Sequence, residues 1–237
     1  MKWVKDRSGK FAERPHYLPD EMDIQCEKVI TEFLGTKKGR VEYPLSTDDI
    51  TVLIESMTQD LDLYADLTSE GADVEGVTDF FRGLRPRVRI EKRLTTGTRM
   101  TNRLRTTLTH ELGHVVFHDF LFQGASNTSL FDRGSKPESH KCKRDNIVGA
   151  PNSDWMEWQA GFACGAFLMP PSAVRECVRG YVQSRGLSIP RFGVNSVEGQ
   201  GLITAIVERF GVSHDAARVR LLQKGALSEG TTGGSLF

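Results

Sequence analysis

Only four cysteines occur in the 237 residues, Cys26, Cys142, Cys164 and Cys177, and no two form a Cys-x-x-Cys pair. The chain therefore lacks the spacing of a disulfide scaffold or of a cysteine-rich zinc module. Two of the four fall within apolar helical patterns, which suits buried free thiols in a reducing compartment. An excess of either charge is also missing, with 31 Lys and Arg against 31 Asp and Glu. Such balance gives no bulk attraction to nucleic acid or to an anionic membrane surface. No apolar run approaches the roughly 20 residues of a membrane span. Residues 1–10 have no hydrophobic core of a secretory signal. These absences lead to the expectation of a cytoplasmic protein that neither enters a membrane nor binds nucleic acid directly. What is present is ordinary for a globular chain, 38% hydrophobic and 26% charged, and long enough for one sizeable core or two small ones.

Within this ordinary background, residues 107–118 carry a chemical pattern, His110-Glu111-Leu112-Gly113-His114. Residues four apart lie nearly above one another on a helix, so His110 and His114 can grip one ion. Glu111 sits about 100° further round, within reach of a water on that ion without being a ligand. Two histidines, a carboxylate base and an open coordination position are what zinc-dependent hydrolysis uses. Leu104, Leu108, Leu112 and Val115 form an apolar stripe roughly 130° from the histidines. One face is thus expected in the core and the other in a cleft.

A third ligand is required, and the apolar run from Trp155 to Pro170 offers Glu157. It is the only carboxylate after Asp154 in a stretch long enough for four helical turns, which Pro170 and Pro171 then stop. Burying a carboxylate there is costly unless a cation compensates it. The plainer alternative places Glu157 on an exposed first turn, favoured by the helix dipole.

Together, His110-Glu111-x-x-His114 with His118, then Glu157 and Ala160, then Leu168-Met169-Pro170, resemble the ImmA/IrrE family of zinc metallo-endopeptidases of the gluzincin type. Arg103, Arg105 and Thr109 match the family's lead-in, and the resemblance covers about residues 76–175 closely and the C-terminal helices loosely. It departs at Gly161, where the family usually has Asn or Asp, and at Gln159, where a second Glu is frequent. The Gly161 change bears on how the imidazoles are supported, because a ligating histidine normally donates its other N–H to an acceptor. The resemblance implies a zincin-like core and one zinc ion. It also implies a narrow protein substrate, a helix-turn-helix repressor or antitoxin-like regulator, cut to derepress a stress or mobile-element operon.

The remaining chain supplies an α+β frame. Residues 1–18 lack periodicity and are expected as a mobile N-terminal arm before a metallopeptidase domain over 19–185. Pro19 opens a helix through Leu34 with Gly35 as its C-cap, and a Ser46–Asp49 capping box starts the next. From Asp60 the period becomes two, predicting strands over about 60–67, 74–81 and 87–94. Helices, a small antiparallel or mixed sheet, the motif helix and C-terminal helices give an α+β order. Asp60, Asp62 and Asp66 read as a solvated strand face. The 87–94 strand or its neighbour is expected to offer an open edge to substrate, with Arg87 and Arg89 as edge-protecting charges. Residues 119–153 read as a long lid, specificity loop or disordered stretch, within which His140 and Cys142 lack structural-zinc spacing. A C-terminal helical subdomain over 186–227 and a disordered tail over 228–237 follow.

The expected chemistry is peptide hydrolysis with His110, His114 and Glu157 on zinc and Glu111 as general base. His118 stands too close to His114 to complete a three-histidine metzincin set, which leaves it a cleft-lining or oxyanion role, or that of an ordinary surface histidine. A rival reading makes 198–224 a helix-turn-helix with Arg218, Arg220 and Lys224 along its second helix. Zero net charge weighs against it.

Overall fold

The stretch expected as a mobile arm is a hairpin. β1 (Lys2–Lys5) pairs antiparallel with β2 (Glu13–His16), in register from Lys2 opposite His16 to Lys5 opposite Glu13. The Asp6 carboxylate closes the connection by accepting from the backbone N–H of Ser8 and Phe11. Four-residue strands with Pro15 in one of them are too short to print a period of two, so pairing rather than pattern defines them. In this computed structural model the described residues are 1–97, 100–123, 138–143, 154–188 and 191–229, with 138–143 described by backbone alone. Expectations for most of 124–153 and for the tail beyond Glu229 fall outside them.

Helix α1 runs Pro19–Lys38, one turn past the expected stop at Gly35. A single helical glycine costs only about 1 kcal/mol relative to alanine. Met22, Cys26, Ile30 and Leu34, each four apart, are all buried. The acidic first turn and Lys37–Lys38 at the other end suit the helix dipole. Helix α2 (Thr47–Met57) starts as expected, with the Ser46 side chain accepting from Asp49 N–H.

The chain divides into two units, Met1–Met22 with Ser46–Cys164, and Asp23–Leu45 with Gly165–Phe237. The expected boundary near residue 186 does not coincide with this division. The first unit holds a four-stranded sheet built from β3 (Asp60–Ala65), β4 (Val74–Phe81), β5 (Leu84–Glu91) and a later β6 (Glu138–Lys143), ordered β3-β5-β4-β6. β3 is parallel to β5, and β4 is antiparallel to both β5 and β6. The third strand ends at Glu91, before the expected 94, because α3 (Lys92–Thr96) begins there. It is also an interior strand. Arg87 and Arg89 accordingly guard no edge: both bind the fully buried Asp79 across the sheet, and Arg89 also reaches Glu70. The motif helix α4 (Thr101–His118) and short α5 (Phe120–Gln123) precede β6, and α6 (Trp155–Leu168) follows it. Phe80, Trp155 and Met156 form a core cluster joined by Phe11, Leu121 and Phe122.

In the second unit, α7 (Pro171–Ser184), α8 (Val197–Phe210) and α9 (His214–Gln223) accompany a parallel pair, β7 (Phe192–Gly193) and β8 (Leu227–Ser228). Ser196 and Ser213 cap α8 and α9, and Gly211 makes the turn between them at φ 60°. Arg220 is almost fully buried, held by Asp23 at 2.6 Å and by the Met169 carbonyl; Lys224 pairs with the same aspartate. Among the described residues, no helix is long and apolar enough to cross a membrane.

Candidate metal centre

Helix α4 is buried on nearly every side. No residue from Thr107 to Val115 has more than slight exposure, and Phe117 and His118 are equally covered. The expected split into a core face and a cleft face therefore fails. The histidine face is as buried as the leucine face, because β4 and α6 pack against it.

The approach of α6 depends on two small residues. A side chain on Gly113 would meet Ala160 Cα at 3.0 Å, its carbonyl oxygen at 3.1 Å and Ala163 Cβ at 3.1 Å. With nothing larger at that crossing, the turn before Ala160 lies against the turn that holds the paired histidines. Glu157 sits on that turn, its N–H received by the Asp154 carboxylate. Its carboxylate reaches both imidazoles: Oε1 is 3.1 Å from His114 Nε2, and Oε2 is 3.3 Å from His110 Nε2. The exposed-first-turn alternative for Glu157 is thereby removed.

Among the described residues, His110, His114 and Glu157 are the one group of three such side chains whose donor atoms all lie within 4.8 Å of one another. The set fits a metal ion. Bonds of about 2.0–2.1 Å in a tetrahedron put neighbouring donors about 3.3–3.4 Å apart, and the separations of 3.3 and 3.1 Å, one to each Glu157 oxygen, lie close to that edge. His110 Nε2 and Glu157 Oε2 are fully buried and lack a hydrogen-bond partner among the described residues. Buried polar atoms without partners are costly, and an ion accepted by both would relieve the cost.

Glu111 is fully buried one residue along and is gripped by β4. Its Oε2 accepts from the Thr78 hydroxyl at 2.6 Å. A side chain on Gly76 would strike its carboxylate, lying 2.8 Å from Cδ and 3.0 Å from Cγ. Gly76 and Thr78 are two apart on one strand and so share a face. Oε1 has no hydrogen-bond partner among the described residues, which leaves it able to accept a proton or a hydrogen bond. Neither strand residue carries a sequence signal linking it to the pentad; the pairing is 33 residues away in the chain.

Burial raises the pKa of Glu111, and this outweighs the opposing influence of His114, His110 and the Thr78 hydroxyl. Burial also works against a charged His114, but Glu157 and Glu111 prevail and its pKa is raised. Glu157 is pulled well below the usual carboxylate range despite burial, chiefly by His114 and His110. Without an ion, the cluster thus favours an imidazolium–carboxylate pair, the charge pattern that a cation would replace.

His118 does not line a cleft, nor does it lie at the surface. It is fully buried behind His114, Nδ1 to Nδ1 at 3.0 Å, while its Nε2 lies 3.0 Å from Gln159 Oε1. Gln159 in turn donates from Nε2 to the Pro15 carbonyl of β2. His110 has no comparable support: its Nδ1 lacks a partner among the described residues, and Gly161, one turn past Glu157, has no side chain to offer one.

Other sequence candidates lie elsewhere. Asp60 and Asp66 are exposed and Asp62 half-buried, and Asp66 pairs with Lys92, as expected of a wetted strand face. His140 and Cys142 are in strand β6, where a loop was expected, in register with Thr78 and Gly76. The chain matches no protein-family model, and no curated protein matches its sequence.

Proposed function

We propose that this protein is a zinc-dependent endopeptidase with a zincin-like core, as the ImmA/IrrE resemblance implies. The observation that carries the reading is the convergence of His110, His114 and Glu157 beside a separately held Glu111. An ion bound by the first three would supply a Lewis acid able to polarise a peptide carbonyl and acidify a water. Glu111 Oε1 takes up the proton of the attacking water, and burial, by raising its pKa, helps it hold that proton. It then delivers the proton to the leaving amine. Thr78 keeps the carboxylate from rotating away.

A substrate has to reach side chains that are almost wholly buried, so turnover requires the surrounding chain to open. Among the described residues the edges of the sheet are β3, the parallel neighbour of the 84–91 strand, and β6, while the 84–91 strand itself is interior. β6 runs beside β4, the strand that touches Glu111, and is the edge to which a substrate segment can add as a further strand. The proposed substrate is a regulatory protein, a helix-turn-helix repressor or antitoxin, cut in the cytoplasm. The rival DNA-binding reading gains little from the C-terminal helices. Two of its three cations, Arg220 and Lys224, are already engaged with Asp23.

The test is Glu111→Gln. Zinc should remain near one equivalent while cleavage of repressors from the same operon, followed by mass spectrometry, disappears. A variant that still cuts removes Glu111 as the base. Wild type that cuts none of them while holding zinc points to a metal-binding partner protein without turnover.

A further inference from the structure

The hydrogen bonds behind His114 determine where its protons lie. Gln159 Nε2 faces the Pro15 carbonyl at 3.0 Å, and a carbonyl can only accept, so this end of the amide is its NH2. The other end, Oε1, must then accept from His118, which places a proton on His118 Nε2. A neutral His118 so protonated has a bare Nδ1. That nitrogen lies 3.0 Å from His114 Nδ1, which must be the donor. With its proton on Nδ1, His114 turns the lone pair of Nε2 toward the Glu157 carboxylate, 3.1 Å away, where the ion would sit. Each link is buried, so water does not compete for any of these bonds.

We propose that His118 and Gln159 are positioning residues that hold His114 in the metal-binding tautomer, with the N-terminal hairpin fixing Gln159 through the Pro15 carbonyl. The proposal rests on His110, His114 and Glu157 being the ligands. It assigns His118, four residues beyond the second ligand, a role behind the site rather than toward substrate. It also accounts for an amide at position 159: this position needs an acceptor for His118 and a donor for Pro15 at once, and a carboxylate supplies only the first.

The experiment measures zinc affinity of the full chain by chelator competition, with folding of each metal-free variant checked by circular dichroism and thermal melting. His118→Ala and Gln159→Leu should weaken zinc binding about tenfold to a hundredfold, the usual effect of losing the partner behind a ligating histidine. Gln159→Glu keeps the acceptor and should stay within about threefold of wild type, while melting lower because Pro15 loses its donor. Long-range ¹H–¹⁵N spectra of the zinc-loaded wild type should show His118 protonated at Nε2 and His114 at Nδ1, a signature that general packing does not produce. Wild-type affinity in a folded His118→Ala or Gln159→Leu, or His118 protonated at Nδ1, overturns the proposal and leaves the ligand assignment standing. Should both variants misfold, the Gln159→Glu affinity and the wild-type spectra still decide it. Wild type that binds no zinc refutes the ligand assignment itself.

Discussion

Gly76→Ala separates the base from the metal. The added methyl would lie 2.8 Å from Glu111 Cδ and 3.0 Å from Cγ, whereas carbon atoms rest about 3.5–4.0 Å apart. The carboxylate must therefore retreat by at least about 0.7 Å. It is fully buried and held by Thr78 at 2.6 Å, so it cannot swing into solvent; the move strains β4 or breaks that bond. Overpacking of this sort costs about 1–3 kcal/mol, a fall in melting temperature of several degrees. Misplacing a reacting group by about 1 Å costs about 100-fold in rate. Zinc content should hold at one equivalent, since no ligand is touched. The assay pairs metal analysis and melting with cleavage of the identified substrate. Wild-type turnover in a folded, zinc-loaded Gly76→Ala would refute the claim that β4 sets the position of Glu111.

Gly113→Ala puts a methyl against the Ala160 backbone, forces the two helices apart, and should weaken zinc binding about tenfold in chelator competition. Thr78→Val should leave zinc bound and cost about 1 kcal/mol, with turnover falling as Glu111 loses its tether. Asp23→Ala removes the carboxylate that neutralises the buried Arg220 and should destabilise the protein by about 3–5 kcal/mol in denaturant unfolding. Because Glu157 and Glu111 raise the His114 pKa above its ordinary 6.5, an incoming ion must displace a proton held more firmly than usual. Zinc affinity should therefore weaken as pH falls from about 8 toward and below that value, readable in the same competition assay; a flat profile would contradict the raised pKa.

The parts of this architecture written in short-range pattern were legible. The pentad spacing, the capping serine at 46 and the alternation that begins at Asp60 each depend on residues within a turn or two. Glu157 was legible for a different reason: a lone carboxylate in an apolar run implies a cationic neighbour. Long-range pairing was not. Nothing in residues 84–91 tells an interior strand from an edge, so Arg87 and Arg89 gave no sign of the Asp79 they neutralise. The polar run 138–143 lacks the apolar alternation that marks a strand, and only its pairing with β4 makes it one. The role of Gln159 was not legible because its partners, His118 and Pro15, lie 41 and 144 residues away. Gly76 showed no link to Glu111 for the same reason.

The most direct test of the account is anomalous diffraction at the zinc edge from crystals of the zinc-loaded protein. One peak is expected, about 2.0–2.2 Å from His110 Nε2, His114 Nε2 and a Glu157 carboxylate oxygen, with Glu111 nearby but not bonded. A peak at any other group of residues, or none between these three in protein that carries zinc, would contradict it.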